Sequence, residues 1–266
     1  MKKHTLHTIQ DLKEKNQPIV VLTAYDSSFS RLLSENGVDI ILVGDSLGMV
    51  MQGNQTTVPV TMEQMVYHTQ CVAKTNTHCW LVADYPYMSY ATEEQALDNA
   101  ACLMQAGANM VKLEGGQWLL ATISKLVERG IPVCAHLGLT PQSVDALGGF
   151  KVQGREKNSA DQLINDAIAV EKSGASLLVL ECVPSQLAKE ISKYLTIPTI
   201  GIGAGVDTDG QVLVLQDMLG INTEFSPKFV KDFFDDESVN SVSEAISAYC
   251  DAVRNRSFPE KKHCFE

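Results

Sequence analysis

The chain has 266 residues, 45% of them hydrophobic and 20% charged, and a formal net charge of −11. That length suits one large α/β domain or two ordinary ones, and a closed (β/α)8 barrel of about 250 residues is the simplest single solution. The acidity disfavours nucleic acid and anionic membrane as partners. An anionic small molecule stays open, because a bound divalent cation reverses the local field.

The first sixteen residues, MKKHTLHTIQDLKEKN, carry lysines but no apolar core, so they do not read as a secretory signal. No apolar run reaches the length of a membrane span. The seven cysteines form no even framework; Cys71, Cys102, Cys134 and Cys182 lie in apolar patterns and read as reduced core residues of a cytoplasmic protein. A zinc site from His68, Cys71, His78 and Cys79 can be drawn, but a helix face followed by a strand start fits that spacing better.

From there the chain alternates short apolar runs with amphipathic segments. Strands are expected near 18–25, 39–44, 80–84, 110–114, 132–137, 176–181 and 198–202, and helices near 27–36, 61–74, 93–106, 117–129, 160–173 and 185–194. Gly37, Gly107, Gly130 and Gly174 stand where helices would stop in the left-handed conformation. Thr61 with Gln64, Thr92 with Gln95 and Ser159 with Gln162 have capping-box spacing, and Pro184 suits a first helical residue. Near-continuous apolar strands imply a parallel sheet covered on both faces.

Residues 140–160 read as a long glycine-containing loop, either a lid or a mobile surface segment. The stretch QVLVLQDML at 211–219 is an eighth strand or a helix start. Its connection from IGIGAG is short for a crossover, so an open doubly wound sheet competes with the barrel. Val239, Val242, Ile246, Tyr249 and Val253 mark one face of a tail helix, with Ser241 and Glu244 placed to cap it. That helix suits packing on the barrel or on a neighbouring subunit. The expected organisation is one barrel domain over 1–266, with an extension over about 1–17 and a helical tail over about 228–266.

Charged residues recur at the downstream ends of the apolar runs: Asp45, Asp84, Lys112 with Glu114, His136, and Glu181. In a parallel α/β fold these ends share one rim, where ligands bind. Charges there are costly unless paired or metal-bound. Asp45 and Asp84, with Glu114 near, suit Mg2+, which takes oxygen ligands and keeps positions for water and substrate; the competing role for each Asp is a helix cap. Lys112 and Glu114 are two apart, so both point to one side, Lys112 below Glu114 in the barrel. Lys112 pairs with Glu114 or with a substrate carboxylate. Glu181 follows the apolar run LLVL and has no basic neighbour in sequence. Desolvation would raise its pKa toward general-base range unless the loop solvates it. His136 is placed to donate to a bound anion or enolate, or to be a satisfied core histidine. GIGAG at 201–205 is a weak phosphate signal; close backbone approach explains it better. One divalent cation, one desolvated carboxylate and one lysine suggest carbonyl chemistry on a 2-oxo acid.

Several longer stretches go further: TAYD (23–26), VGDSLGM (43–49), DYPYMSY (84–90), AGANMVKLEGG (106–116), HLGLTPQSV (136–144), GGFKVQGR (148–155), LLVLECVP (177–184), IGIGAG (200–205) and SPKF (226–229). In order and content they closely resemble the ketopantoate hydroxymethyltransferase family. The resemblance implies a (β/α)8 TIM barrel of the phosphoenolpyruvate/pyruvate type, Mg2+ dependence and a cytoplasmic homodecamer. It also implies transfer of a one-carbon unit from the co-substrate 5,10-methylenetetrahydrofolate to 3-methyl-2-oxobutanoate through a Mg-stabilised enolate. By motif, Asp45, Asp84 and Glu114 correspond to metal ligands. Asp45, Ser46, Asp84 and Lys112 correspond to substrate contacts, His136 to a supporting contact, and Glu181 to the proton acceptor. Gln216 in LVLQDMLG, the DYPYMSY segment and INTEF before SPKF depart from the family pattern. A Mg2+-dependent lyase or mutase and a non-catalytic metabolite-binding barrel are the competing functions.

Overall fold

The computed structural model describes residues 2–222, 226–235 and 238–266. Eight strands close into a parallel barrel in chain order. They are β1 (Ile19–Thr23), β2 (Ile40–Val43), β3 (Trp80–Asp84), β4 (Met110–Glu114), β5 (Val133–Gly138), β6 (Leu177–Glu181), β7 (Thr199–Ile202) and β8 (Gly210–Leu213). β8 pairs with β1, Val21 opposite Val212, so the open sheet is excluded.

Alternation along each strand sends apolar side chains to two places. Val21, Ile40, Val82, Leu177, Val179, Ile200 and Val212 fill the barrel interior. Leu22, Ile41, Ala83, Leu113 and Leu178 face outward under a helix layer that includes Leu33, Met65, Leu103 and Ile123. Both faces are buried, which is why the strands read as unbroken apolar runs.

The six expected helices form at Ser27–Glu35, Met62–Ala73, Glu93–Gln105, Leu120–Glu128, Lys157–Lys172 and Ser185–Tyr194. Thr61 and Thr92 accept from the backbone N–H three residues on, as their spacing predicts. Ser159 does not cap. The helix starts two residues earlier behind an extended Glu156, and the Ser159 hydroxyl donates to the Glu156 carbonyl. Pro184 precedes the first helical residue rather than occupying it. Gly37, Gly107, Gly130 and Gly174 all have positive φ, as helix stops require.

The ambiguous stretch at 211–219 is both things in turn: the end of β8, then a short helix Leu215–Met218. No helix separates β7 from β8. Residues 203–209 make the connection, tied by Gln211 Nε2 donating to the Gly205 carbonyl and to Thr208 Oγ1. A Cβ on Gly201 would lie 2.7 Å from Thr208 Oγ1, so this glycine run serves close packing. The tail helix Val242–Arg254 covers this side of the barrel, with Tyr249 OH 3.0 Å from both the Val21 and Gln211 carbonyls. The N-terminal extension is helical over Leu6–Glu14. It closes the far end, where Lys13 Nζ reaches the Ser192 and Ile197 carbonyls and Asp209.

Other expectations need correction. Cys102 is exposed and Cys71 half-buried, so only Cys134 and Cys182 of the four are core residues. The segment 140–160 is not a structureless loop: Pro141–Ser143 form a 3-10 turn and Val144–Leu147 a helical turn, with Gln142 buried. Thr223, Glu224 and Phe225 of INTEF lie outside the described residues.

Candidate active site

The C-terminal ends of β2 to β5 bring Asp45, Asp84, Lys112, Glu114 and His136 into one buried cluster, none more than 4% exposed. Strand register does the first part of this work. Asp84 on β3 stands opposite Lys112 on β4, and Glu114 on β4 stands opposite His136 on β5. Lys112 Nζ lies 2.8 Å from Asp84 Oδ1 and 3.9 Å from Glu114 Oε1. His136 Nδ1 is 3.2 Å from Glu114 Oε1, and its Nε2 is 3.3 Å from Glu181 Oε2. The Asp45 N–H donates to Asp84 Oδ2 at 3.1 Å. Ser46 shares a 2.8 Å hydrogen bond with Tyr25 OH beside the cluster.

Burial, then the charges of Asp84 and Glu114, push the Asp45 carboxyl well above the usual range, against the pull of Lys112 and Gln142. Asp84 is also raised by burial, which outweighs Lys112. Burial alone would discharge Lys112, but Asp84, Glu114 and Asp45 overcome it and hold the ammonium charged. Burial opposes ionisation of Glu114 too, yet His136 and Lys112 bring it below its ordinary value. His136 is lowered by burial and by Lys112 but raised more by Glu114 and Glu181, to about 9.

Two sequence expectations change here. Glu181 is not isolated from bases: His136 sits against it, and its side chain is 13% exposed. His136 is therefore neither a purely structural core histidine nor a free donor, because it bridges Glu114 and Glu181. Gln142 and Tyr90 belong to the same network and were not singled out from sequence. Gln142 Nε2 donates to Asp45 Oδ2 at 2.8 Å and to the Tyr85 carbonyl at 2.7 Å, and its N–H donates to Glu114 Oε2 at 3.1 Å. Tyr90 OH donates to Gln142 Oε1 at 2.6 Å. The only signal available was a glutamine after a proline in HLGLTPQSV, directly past a strand end.

The cluster suits a hard divalent cation by its chemistry. Asp45, Asp84 and Glu114 are three buried carboxylates around one lysine. Asp84 Oδ1 has Lys112 as its partner, at 2.8 Å. Among the described residues no three His, Cys, Asp or Glu side chains already converge as a ligand set. Both Glu114 oxygens are engaged, by His136 and by the Gln142 N–H. Asp45 and Asp84 are thus the better placed to hold a cation directly, with water or ligand oxygens completing its shell.

Fold and site together define a class: a (β/α)8 barrel with a buried acid, lysine and histidine cluster at its C-terminal mouth. In fold the chain is similar to a phosphonopyruvate hydrolase in complex with oxalate and Mg++ (TM-score 0.62, 13% identity, 97% of this chain and 98% of that one). It is likewise similar to 2,3-dimethylmalate lyase, a PEP mutase/isocitrate lyase superfamily member (TM-score 0.58, 13% identity, 95% of this chain and 97% of that one). The family model for ketopantoate hydroxymethyltransferase matches residues 3–261. The 3-methyl-2-oxobutanoate hydroxymethyltransferase of Idiomarina loihiensis is 57% identical over 99% of this chain and 98% of its own. That of Shewanella sediminis is 56% identical over the full length of both. The chain belongs to the ketopantoate hydroxymethyltransferase family.

Proposed function

We infer that this protein is an enzyme transferring a one-carbon unit from 5,10-methylenetetrahydrofolate to 3-methyl-2-oxobutanoate, giving 2-dehydropantoate for pantothenate synthesis. The observation that carries this reading is the full-length match to relatives of that name. When bound at Asp45 and Asp84, Mg2+ supplies Lewis acidity that favours loss of a proton from the carbon next to the keto group. Lys112 and Ser46, with the two aspartates, hold the carboxylate and keto oxygens of the oxo acid. Glu181, at the open edge of the cluster, takes the C3 proton, and the resulting carbon nucleophile attacks the methylene carbon carried by the folate, while both C–N bonds of that carbon break, water supplies the hydroxyl oxygen and tetrahydrofolate leaves with its nitrogens protonated. His136 holds Glu181 in place and receives its orientation from Glu114 on its other ring nitrogen. Glu114 contributes negative charge around the cation.

The same reading takes the chain as one barrel domain over 1–266, with residues about 1–17 and 228–266 appended, acting in the cytoplasm as a homo-oligomer, a decamer by family resemblance. No described helix is long and apolar enough to cross a membrane. The test is deuterium exchange at C3 of the oxo acid. Glu181→Gln is expected to slow exchange by about 10²–10⁴-fold while oxo-acid binding stays near normal; unchanged exchange removes Glu181 from the role. EDTA is expected to abolish transfer and Mg2+ to restore it.

A further inference from the structure

We propose that Gln142 is a positioning residue that occupies one oxygen of Asp45 and one of Glu114, so that Asp45 offers a single oxygen to the cation and the oxo acid. The proposal rests on the reading of Asp45 as a cation ligand.

Gln142 lies in the 3-10 turn Pro141–Ser143 just past β5 and is 5% exposed. Its amide orientation is decided chemically. The Tyr85 carbonyl can only accept, and it lies 2.7 Å from Nε2, so the NH2 group must face it. The second Nε2 hydrogen then points to Asp45 Oδ2, and Oε1 faces the Tyr90 hydroxyl. Both donors and an acceptor lone pair of this amide are used, so it cannot rotate without stranding buried polar groups.

The consequence reaches two carboxylates at once. Asp45 Oδ2 is held by the side chain and Glu114 Oε2 by the backbone N–H of the same residue. Asp84 follows the same pattern from elsewhere, with Oδ2 held by the Asp45 N–H. Asp45 thus has Oδ2 tied to an amide; Asp84 has its other oxygen on Lys112, and Glu114 has its other on His136. A single oxygen from Asp45 suits the near-octahedral shell of Mg2+, which leaves no room for spreading bidentate acids. Tyr90 fixes Gln142 from the side away from Asp45. Its ring stacks on Trp118 at 5.8 Å between centroids, which keeps the hydroxyl in place.

The test is calorimetric Mg2+ binding to the full chain without substrate, on Gln142→Met, Tyr90→Phe and the double variant, each with a thermal melt. Gln142→Met keeps the length and removes every side-chain donor. It is expected to weaken Mg2+ by about 10–100-fold, the range seen when a group orienting a metal ligand is removed. Tyr90→Phe is expected to weaken it less, and the double variant no more than Gln142→Met alone, because both act through one amide. In C3 exchange, kcat should fall more than KM rises. A Gln142→Met protein that melts like wild type and binds Mg2+ within about twofold of it, or additive losses in the double variant, overturns the proposal. If Gln142→Met does not fold, a Tyr90→Phe affinity equal to wild type overturns it instead. Wild type that binds Mg2+ without transferring the one-carbon unit sinks the functional reading while leaving Gln142 open to this test. Wild type that transfers without binding Mg2+ overturns the cation role of Asp45 and Asp84, and with it the role given to Gln142, while leaving the transferase reading intact.

Discussion

Replacing Lys112 with methionine removes the ammonium from among three buried carboxylates while keeping a side chain of similar length. At an effective dielectric near 20, the 2.8 Å and 3.9 Å pairs with Asp84 and Glu114 are worth about 6 and about 4 kcal/mol of gross attraction. Much of that is offset by the desolvation of Lys112 itself, and breaking such a buried pair from one side typically costs about 3–5 kcal/mol. For a chain of this size each kcal/mol lowers Tm by roughly 2–4 °C, so a fall of roughly 6–20 °C is expected in metal-free protein. The pH dependence has a definite sign. Lys112 has a raised pKa in the folded state, so its contribution is fully present below the unfolded lysine value and is lost only as pH rises through the folded one. Without it, Asp84 and Glu114 protonate more readily, so the deficit shrinks in acid and grows toward pH 8. Saturating Mg2+ should restore part of the lost stability by supplying positive charge. The assay is a thermal melt of both proteins, with EDTA and with Mg2+, at pH 5 and pH 8. A metal-free Lys112→Met protein that melts within about 2 °C of wild type at pH 8 would refute the electrostatic account.

Asp45 is raised above its ordinary value, so the metal-free folded state keeps a proton that the unfolded chain loses. Metal-free stability should fall as pH rises through the shifted value, while Mg2+ affinity should rise and binding should release protons; calorimetry in two buffers of different ionisation enthalpy measures the release. Gly138→Ala is expected to cost about 1–3 kcal/mol, because φ there is +93° and a Cβ would collide with the Glu181 carbonyl. C3 exchange should suffer more than Mg2+ binding, since the displaced strand end carries Glu181. Thr61→Ala serves as a control outside the cluster's hydrogen bonds, since the Thr61 hydroxyl accepts from the Gln64 N–H: loss of its cap should cost about 1 kcal/mol with Mg2+ affinity unchanged.

Much of the barrel is legible in the chain because its causes are local. Strands covered on both faces must be apolar throughout, helices must stop where glycine permits positive φ, and Thr61 and Thr92 cap only residues three positions away. Asp45, Asp84, Lys112, Glu114, His136 and Glu181 stand out for a similar reason, since a charge ending an apolar run needs a partner. Which partner it finds depends on register and closure, and these join residues far apart in the chain. Asp84 meets Lys112, and His136 joins Glu114 to Glu181, only because β3 to β6 align as they do. Gln142 reaches Asp45 across ninety-seven positions from a turn that carries no distinctive local pattern. The short β7–β8 connection was likewise decided by tertiary contacts, with Gln211 tying it to the Gly205 carbonyl and Thr208, while Tyr249 from the tail helix joins β8 to β1. Periodicity and capping act over a few residues and are written in the sequence; the pairing of buried charges is set by which strand ends the closed barrel brings within hydrogen-bonding distance.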